Sequence, residues 1–221
     1  MSYFNNPDRL LSLANQLMDG LGVTMTLFSL TLLFSLPLGL LFALMRMSRF
    51  KLVSMPVRLL ILVMRGTPLI LQVFTVYFFL PQLFGRSFER MTAAVISFSI
   101  NYAAYFAEIY RGGVEGIPVG QREAAHVLGM SRVQTFIRII LPQVMKRILL
   151  PISNEVVTLV KDTALVTAGG MVELYRVARN AASASGSLEP LFAAGIFYLA
   201  LNAVFTAVFD VIGKKLDYYR G

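Results

Sequence analysis

Apolar and polar stretches alternate along this chain on the length scale of a bilayer. A helix needs about 20 largely apolar residues to cross the hydrocarbon core. Uncharged runs near that length extend from Gly20 to Met45, from Gly66 to Gly85 and from Pro190 to Phe209. Two more stretches reach membrane length only with charge inside them. Met91 to Ala107 must take in Glu108 and Ile109, and Ile148 to Met171 carries Glu155, Lys161 and Asp162. The pattern predicts an all-α integral membrane protein, a single domain over 1–221. Its five transmembrane helices fall at about 20–46, 57–84, 91–112, 147–171 and 190–213, with a polar loop at about 115–143. Ahead of the first span, Leu10, Leu13, Ala14 and Leu17 recur at helical spacing, which predicts a short amphipathic helix lying on the outer interface.

Composition agrees: 57% of residues are hydrophobic and 14% charged, where a soluble domain carries roughly a quarter charged. The absence of Cys and the single His exclude a disulfide framework, a Cys-based zinc site and iron–sulfur ligation, and no cofactor is expected. The net charge of +8 matters through its distribution. With the N-terminus outside and the C-terminus in the cytoplasm, the inner segments hold Arg46, Arg49, Lys51, Arg58, Arg111, Arg122, Arg132, Arg138, Lys146, Arg147, Lys214, Lys215 and Arg220. The outer ones hold only Arg9, Arg86, Arg90, Arg176 and Arg179. This excess favours that orientation over its inverse. Residues 1–19 lack the basic, apolar and cleavable regions of a secretory signal and are expected to remain.

In the cytoplasmic loop, Pro118 suits the first turn of a helix and Gly129 its left-handed end, so Val119 to Leu128 reads as one short helix. Ser131 and Gln134 have the spacing of a capping box and open a second helix that Pro142 ends or kinks. Ala124 and Ala125 keep one face of the elbow low, while Arg122 and Glu123 carry charges that can fix a partner's register. A helix-turn-helix beside Arg132 and Arg138 also raises DNA binding. A recognition helix needs a polar face, however, and Phe136, Ile137, Ile139, Ile140 and Leu141 are too apolar for a groove, so no nucleic-acid partner is expected. The chain contains no phosphate-binding loop and no nucleophile elbow, so it is read as non-catalytic, with energy supplied by another polypeptide. His126 is expected to be solvated or to face a partner.

The loop reads EAAHVLGMSRVQTFIRIILP, which resembles the signature loop of bacterial ATP-binding-cassette importer permeases. RGTPLILQVFTVYFFLP (65–81), YAAYFAEIYRGGVEGIPVGQ (102–121) and NEVVTLVKDTALV (154–166) are similar to its polar amino acid branch, so the resemblance covers 20–216. It implies the type I importer permease fold and a multi-pass subunit of the bacterial cytoplasmic membrane, surrounded by lipid. The implied partners are a second identical or homologous permease, two ABC ATPase subunits, an extracytoplasmic solute-binding protein and a polar amino acid as substrate. The elbow would then be the coupling helix, with Arg122, Glu123, Ala124, Ala125, Gly129, Leu141 and Pro142 coupling the permease to the ATPases. Residues 172–189 either receive the solute-binding protein or simply connect two spans. A permease for another small polar solute, such as an opine or a sulfur-containing organic ion, is the alternative. An ATP-independent carrier or channel is the rival from another class.

Ionisable side chains near the bilayer centre cost at least about 2.5 kcal/mol each and need partners or a wet cavity. Asn154, Thr158 and Lys161 share one helical stripe, and Glu155 and Asp162 an adjacent one; Asn101, Tyr105 and Glu108 form another, and Arg65 and Gln72 a fourth. Gln72, Asn101, Asn154, Glu155, Lys161 and Asp162 are therefore candidates for the substrate path, with Glu155 and Asp162 favouring a cationic amino acid if both face it. The other reading makes Glu155, Lys161 and Asp162 structural pairs. Arg65 and Glu108 act as gate charges or snorkel to the interface, and Arg65-Gly66-Thr67-Pro68 bends the second span as a hinge or as a static kink.

Overall fold

In the computed structural model the described residues are Tyr3, 7–85 and 87–216. Arg86 and Arg220, counted above on opposite sides of the membrane, lie outside them. All regular structure among the described residues is helical.

Helix α1 runs unbroken from Pro7 to Arg46. At 1.5 Å per residue its 40 residues span about 60 Å, roughly twice the hydrocarbon core. The apolar stripe expected on the interface instead has a protein partner. Leu13 and Leu17 are buried against Leu174, Ala178, Ala181 and Ala194, so the helix has no reason to stop at Gly20. Gly20 permits this approach, since a Cβ there would lie 3.0 Å from the backbone of Leu174.

Helix α2 (Lys51–Gly66) and helix α3 (Leu69–Phe74) meet at a break of 111°. Thr67 and Pro68 are extended, as expected where proline removes a donor and biases its predecessor away from helix. A π turn over Thr75–Phe79 leads into α4 (Leu80–Phe84). Helix α5 (Arg90–Glu115) is the central element and packs along α1. Leu27, Phe28, Phe98, Tyr102 and Phe106 form part of the core there, and Gly39 lets the helices close, because a Cβ would lie 2.7 Å from Phe106 Cβ.

The elbow comprises α6 (Val119–Val127) and α7 (Arg132–Thr135). A second π turn, Phe136–Ile140, joins α7 to α8 (Leu141–Asp162). Both π turns end two residues before a proline, Pro81 or Pro142. Widening the turn absorbs the amide that proline lacks, so Pro142 neither ends the helix nor sits inside an ordinary ladder. The chain then passes through a 3₁₀ segment, Thr163–Gly169, to α9 (Leu174–Ser185) and α10 (Glu189–Lys215). Helix α10 rests on α8 and α9 and leaves Phe192, Ile196, Leu199 and Val208 exposed. By length and apolarity alone, α1 and α10 qualify to cross a membrane, and α2 together with the stretch Leu69–Leu83 does so if the bent pair counts as one span rather than a re-entrant loop.

Candidate functional site

The elbow is anchored from beneath. Arg147 on α8 donates to the carbonyl of Gly116 at 2.5 Å, and Ile117 is buried with Ile140, Val144 and Ile148. Pro118 is the N-cap of α6, and Ala125 is the only buried residue of that helix. Arg122, Glu123, Ala124 and His126 all face outward. The helix closes in a Schellman motif: Met130 N–H donates to Ala125 O at 3.0 Å and Gly129 N–H to His126 O at 2.9 Å, with Gly129 at φ +73°. The capping box then forms as its spacing predicts, Gln134 N–H donating to Ser131 Oγ at 3.3 Å and Ser131 N–H to Gln134 Oε1 at 2.9 Å.

What this rigid turn presents is apolar. Val127 is 86% exposed and Leu128 77%, with Val119, Val133 and Ile137 also exposed around them. Such a patch on a tightly hydrogen-bonded elbow is a surface that a partner or the membrane can cover. Leu141 and Pro142 lie behind it, partly buried at the start of α8.

The polar residues of the spans separate into three groups. Gln72 and Asn101 meet, Asn101 Nδ2 donating to Gln72 Oε1 at 2.9 Å and to Met64 O at 3.1 Å. Gln72 Nε2 in turn donates to Met64 O and to Thr67 Oγ1, both at 2.9 Å. These amides satisfy a carbonyl left open where α2 ends, and so hold the bend. The second group lies on α8. Asp162 accepts a hydrogen bond from the Tyr102 hydroxyl at 2.8 Å, Glu155 is partly buried, and Asn154 and Lys161 are exposed. The third is centred on Glu108, which Arg111 grips at 2.6 Å, while Arg46 and Arg65 stand at 3.7 and 3.8 Å. Arg65 also lies over the Tyr105 ring, 5.2 Å from its centroid.

Sequence reasoning overlooked two members of these networks. Tyr102 reads as one more aromatic packing residue, and only the crossing of α5 with α8 gives its hydroxyl a carboxylate. Glu173 is fully buried as the N-cap of α9, accepting from Tyr175 N–H and Arg176 N–H, each at 2.7 Å, from Thr167 Oγ1 at 2.6 Å and from the Tyr198 hydroxyl at 3.1 Å. Glutamate is not a favoured cap, so its sequence context gave no signal.

Comparison with known proteins gives this architecture a relationship. The arginine transport system permease protein ArtQ of Bacillus subtilis (strain 168) is 37% identical over 201 residues, covering 90% of this chain and 92% of its own. The octopine transport system permease protein OccM of Rhizobium radiobacter is also 37% identical, over 87% of this chain and 81% of its own. Among solved structures, the crystal structure of an amino acid ABC transporter with histidines superposes with a TM-score of 0.87 at 30% identity, covering 97% of this chain and 99% of its counterpart. Residues 35–218 match the family described as the inner membrane component of binding-protein-dependent transport systems, and this all-helical membrane protein belongs to it.

Proposed function

We propose that the chain is the permease subunit of an ATP-driven importer for polar amino acids. It spans the bacterial cytoplasmic membrane five times with its N-terminus outside. It works beside an identical or homologous permease, two ATPase subunits and an extracytoplasmic solute-binding protein. The observation that carries this reading is the elbow, a short helix locked at both ends that displays Val127 and Leu128 to a partner beside the Arg122–Glu123 charges. A rigid docking helix transmits motion; a loose loop would absorb it. Nucleotide-driven closure of the ATPases would swing the elbow and, through Arg147 and α8, shift the spans between inward-open and outward-open arrangements.

The cargo reading leans toward a cationic amino acid. Glu155 and Asp162 lie seven residues apart on α8, on one stripe with no cation within 4 Å of either among the described residues, Arg65 and Lys161 acting on them only from farther off, and ArtQ bears an arginine transporter's name. An opine is the second reading, favoured by the similarity to OccM. ATP hydrolysis by the assembled complex in proteoliposomes, with the binding protein present, tests both. Stimulation by lysine or arginine is expected, with Glu155→Gln reducing the preference for lysine over glutamine. Stimulation by an opine alone would replace the cargo, and failure of any ATPase to copurify would overturn the coupling role of the elbow.

A further inference from the structure

Around Glu108 the molecule gathers four arginines, Arg46, Arg58, Arg65 and Arg111, against Glu108 and Glu115, with Glu155 acting on Arg65 from farther off. Arg111 takes the closest position, with Nη2 2.6 Å from Oε2 and Nε 3.2 Å from both oxygens, and it reaches Glu115 at 2.5 Å. Arg46 and Arg65 remain beyond hydrogen-bond distance of Glu108. Arg58 shares a stripe of α2 with Arg65, two turns away, and lines the same cavity, of about 530 Å³, with Arg46, Leu62, Tyr105 and Glu108. Arg46 Nε is buried and donates no hydrogen bond among the described residues. That N–H faces the Glu108 carboxylate at 3.7 Å, too far to hydrogen-bond, so one carboxylate does not satisfy the arginines around it and the cavity has room for a further anionic oxygen among their other N–H groups.

The missing group has a recognisable chemistry. Guanidinium forks match the tetrahedral oxygens of a phosphate better than a single carboxylate serves three of them. The cavity opens beside Leu59, Leu62 and Val63, all exposed on α2, at the end of the bundle where α1 turns into α2 through Arg49 and Lys51. A phosphate seated between Arg46, Arg58 and Arg65 thus has an exposed apolar strip of α2 directly alongside it. We propose that this cavity binds the phosphodiester headgroup of an anionic phospholipid, with its acyl chains lying along the exposed face of α2. The proposal needs only that the chain is a membrane protein; the side of the bilayer it faces rests on the orientation proposed above.

Native mass spectrometry of the detergent-purified permease, offered phosphatidylglycerol and phosphatidylcholine of matched chains, tests it without reference to transport. Preferential retention of phosphatidylglycerol is expected. It should fall roughly fivefold in Arg58→Gln and roughly thirtyfold in Arg58→Gln/Arg65→Gln, from the contribution of one arginine near an anionic headgroup. Arg179→Gln, an exposed arginine on α9, should retain the lipid as the unaltered protein does. Equal retention of the two lipids, or undiminished retention in Arg58→Gln, would overturn the site. Displacement of phosphatidylglycerol by an equal concentration of soluble glycerol phosphate would overturn the lipid assignment in favour of a free phosphate.

Discussion

A few residues here hold conformations that no substitute reaches cheaply. Gly129, at φ +73°, closes the elbow through the hydrogen bonds of Met130 and Gly129 itself. A β-branched side chain in that region costs of the order of 1–2 kcal/mol and would open the turn. Gly129→Val is therefore expected to leave the protein in the membrane while lowering substrate uptake per ATP hydrolysed at least severalfold; unchanged uptake would show that the turn need not be rigid. Glu173 holds a different kind of position. Its carboxylate serves two backbone amides and two hydroxyls in a fully buried setting. Glu173→Ala would take the acceptor from the two backbone amides and the Thr167 hydroxyl, the Tyr198 hydroxyl keeping Thr24 and Thr163 as neighbours, at about 1–3 kcal/mol for each donor that stays unsatisfied. A drop of several degrees in the thermal unfolding midpoint in detergent is expected, and a midpoint within a degree of the unaltered protein would mean that water replaces the carboxylate without cost.

Among the elements, what could be read from sequence is what depends on neighbours along the chain. The short helix after Pro118, its end at Gly129 and the Ser131–Gln134 box follow from local chemistry, and the structure has each of them. The break at Thr67-Pro68 was legible for the same reason, but its angle was not. The 111° turn is held by Gln72 and by Asn101, the latter 37 residues from the Met64 carbonyl it caps. The same limit applies to the start of α1, whose Leu13 and Leu17 look interfacial until α9 and α10 supply a surface for them. Likewise, a carboxylate at 108 shows its charge in the sequence but not the three arginines that α1, α2 and α5 bring to it. The break is thus a joint assembled by tertiary contact. Asn101→Leu, similar in volume and unable to cap, should loosen it: uptake should fall by more than tenfold with the proposed ATPase partner still copurifying, whereas normal uptake would make the amides incidental to the bend.

For the whole molecule the governing term is the distribution of charge between its two ends. The elbow with the flanking Arg111, Lys146 and Arg147, the α1–α2 turn with Arg58, and the end of α10 carry most of the arginines and lysines, while the loop regions around α9 carry few. Basic segments resist translocation, which favours the end rich in cations on the cytoplasmic side, and the five crossings proposed above would then put the N-terminus outside. The chain contains no cysteine, so a single introduced thiol reports its own side of the membrane without background. Ser183 on α9 and Gln121 on α6 are both exposed, at opposite ends of this arrangement. Ser183→Cys should react with a membrane-impermeant maleimide in intact spheroplasts, and Gln121→Cys only after the membrane is permeabilised. Labelling of both thiols in intact spheroplasts would put α6 and α9 on the same side and remove a crossing between them, which is incompatible with α8 as a span. The reversed pattern would keep every span but turn the elbow away from the only compartment that supplies ATP, and the coupling role of Arg122 to Gly129 would fall with it.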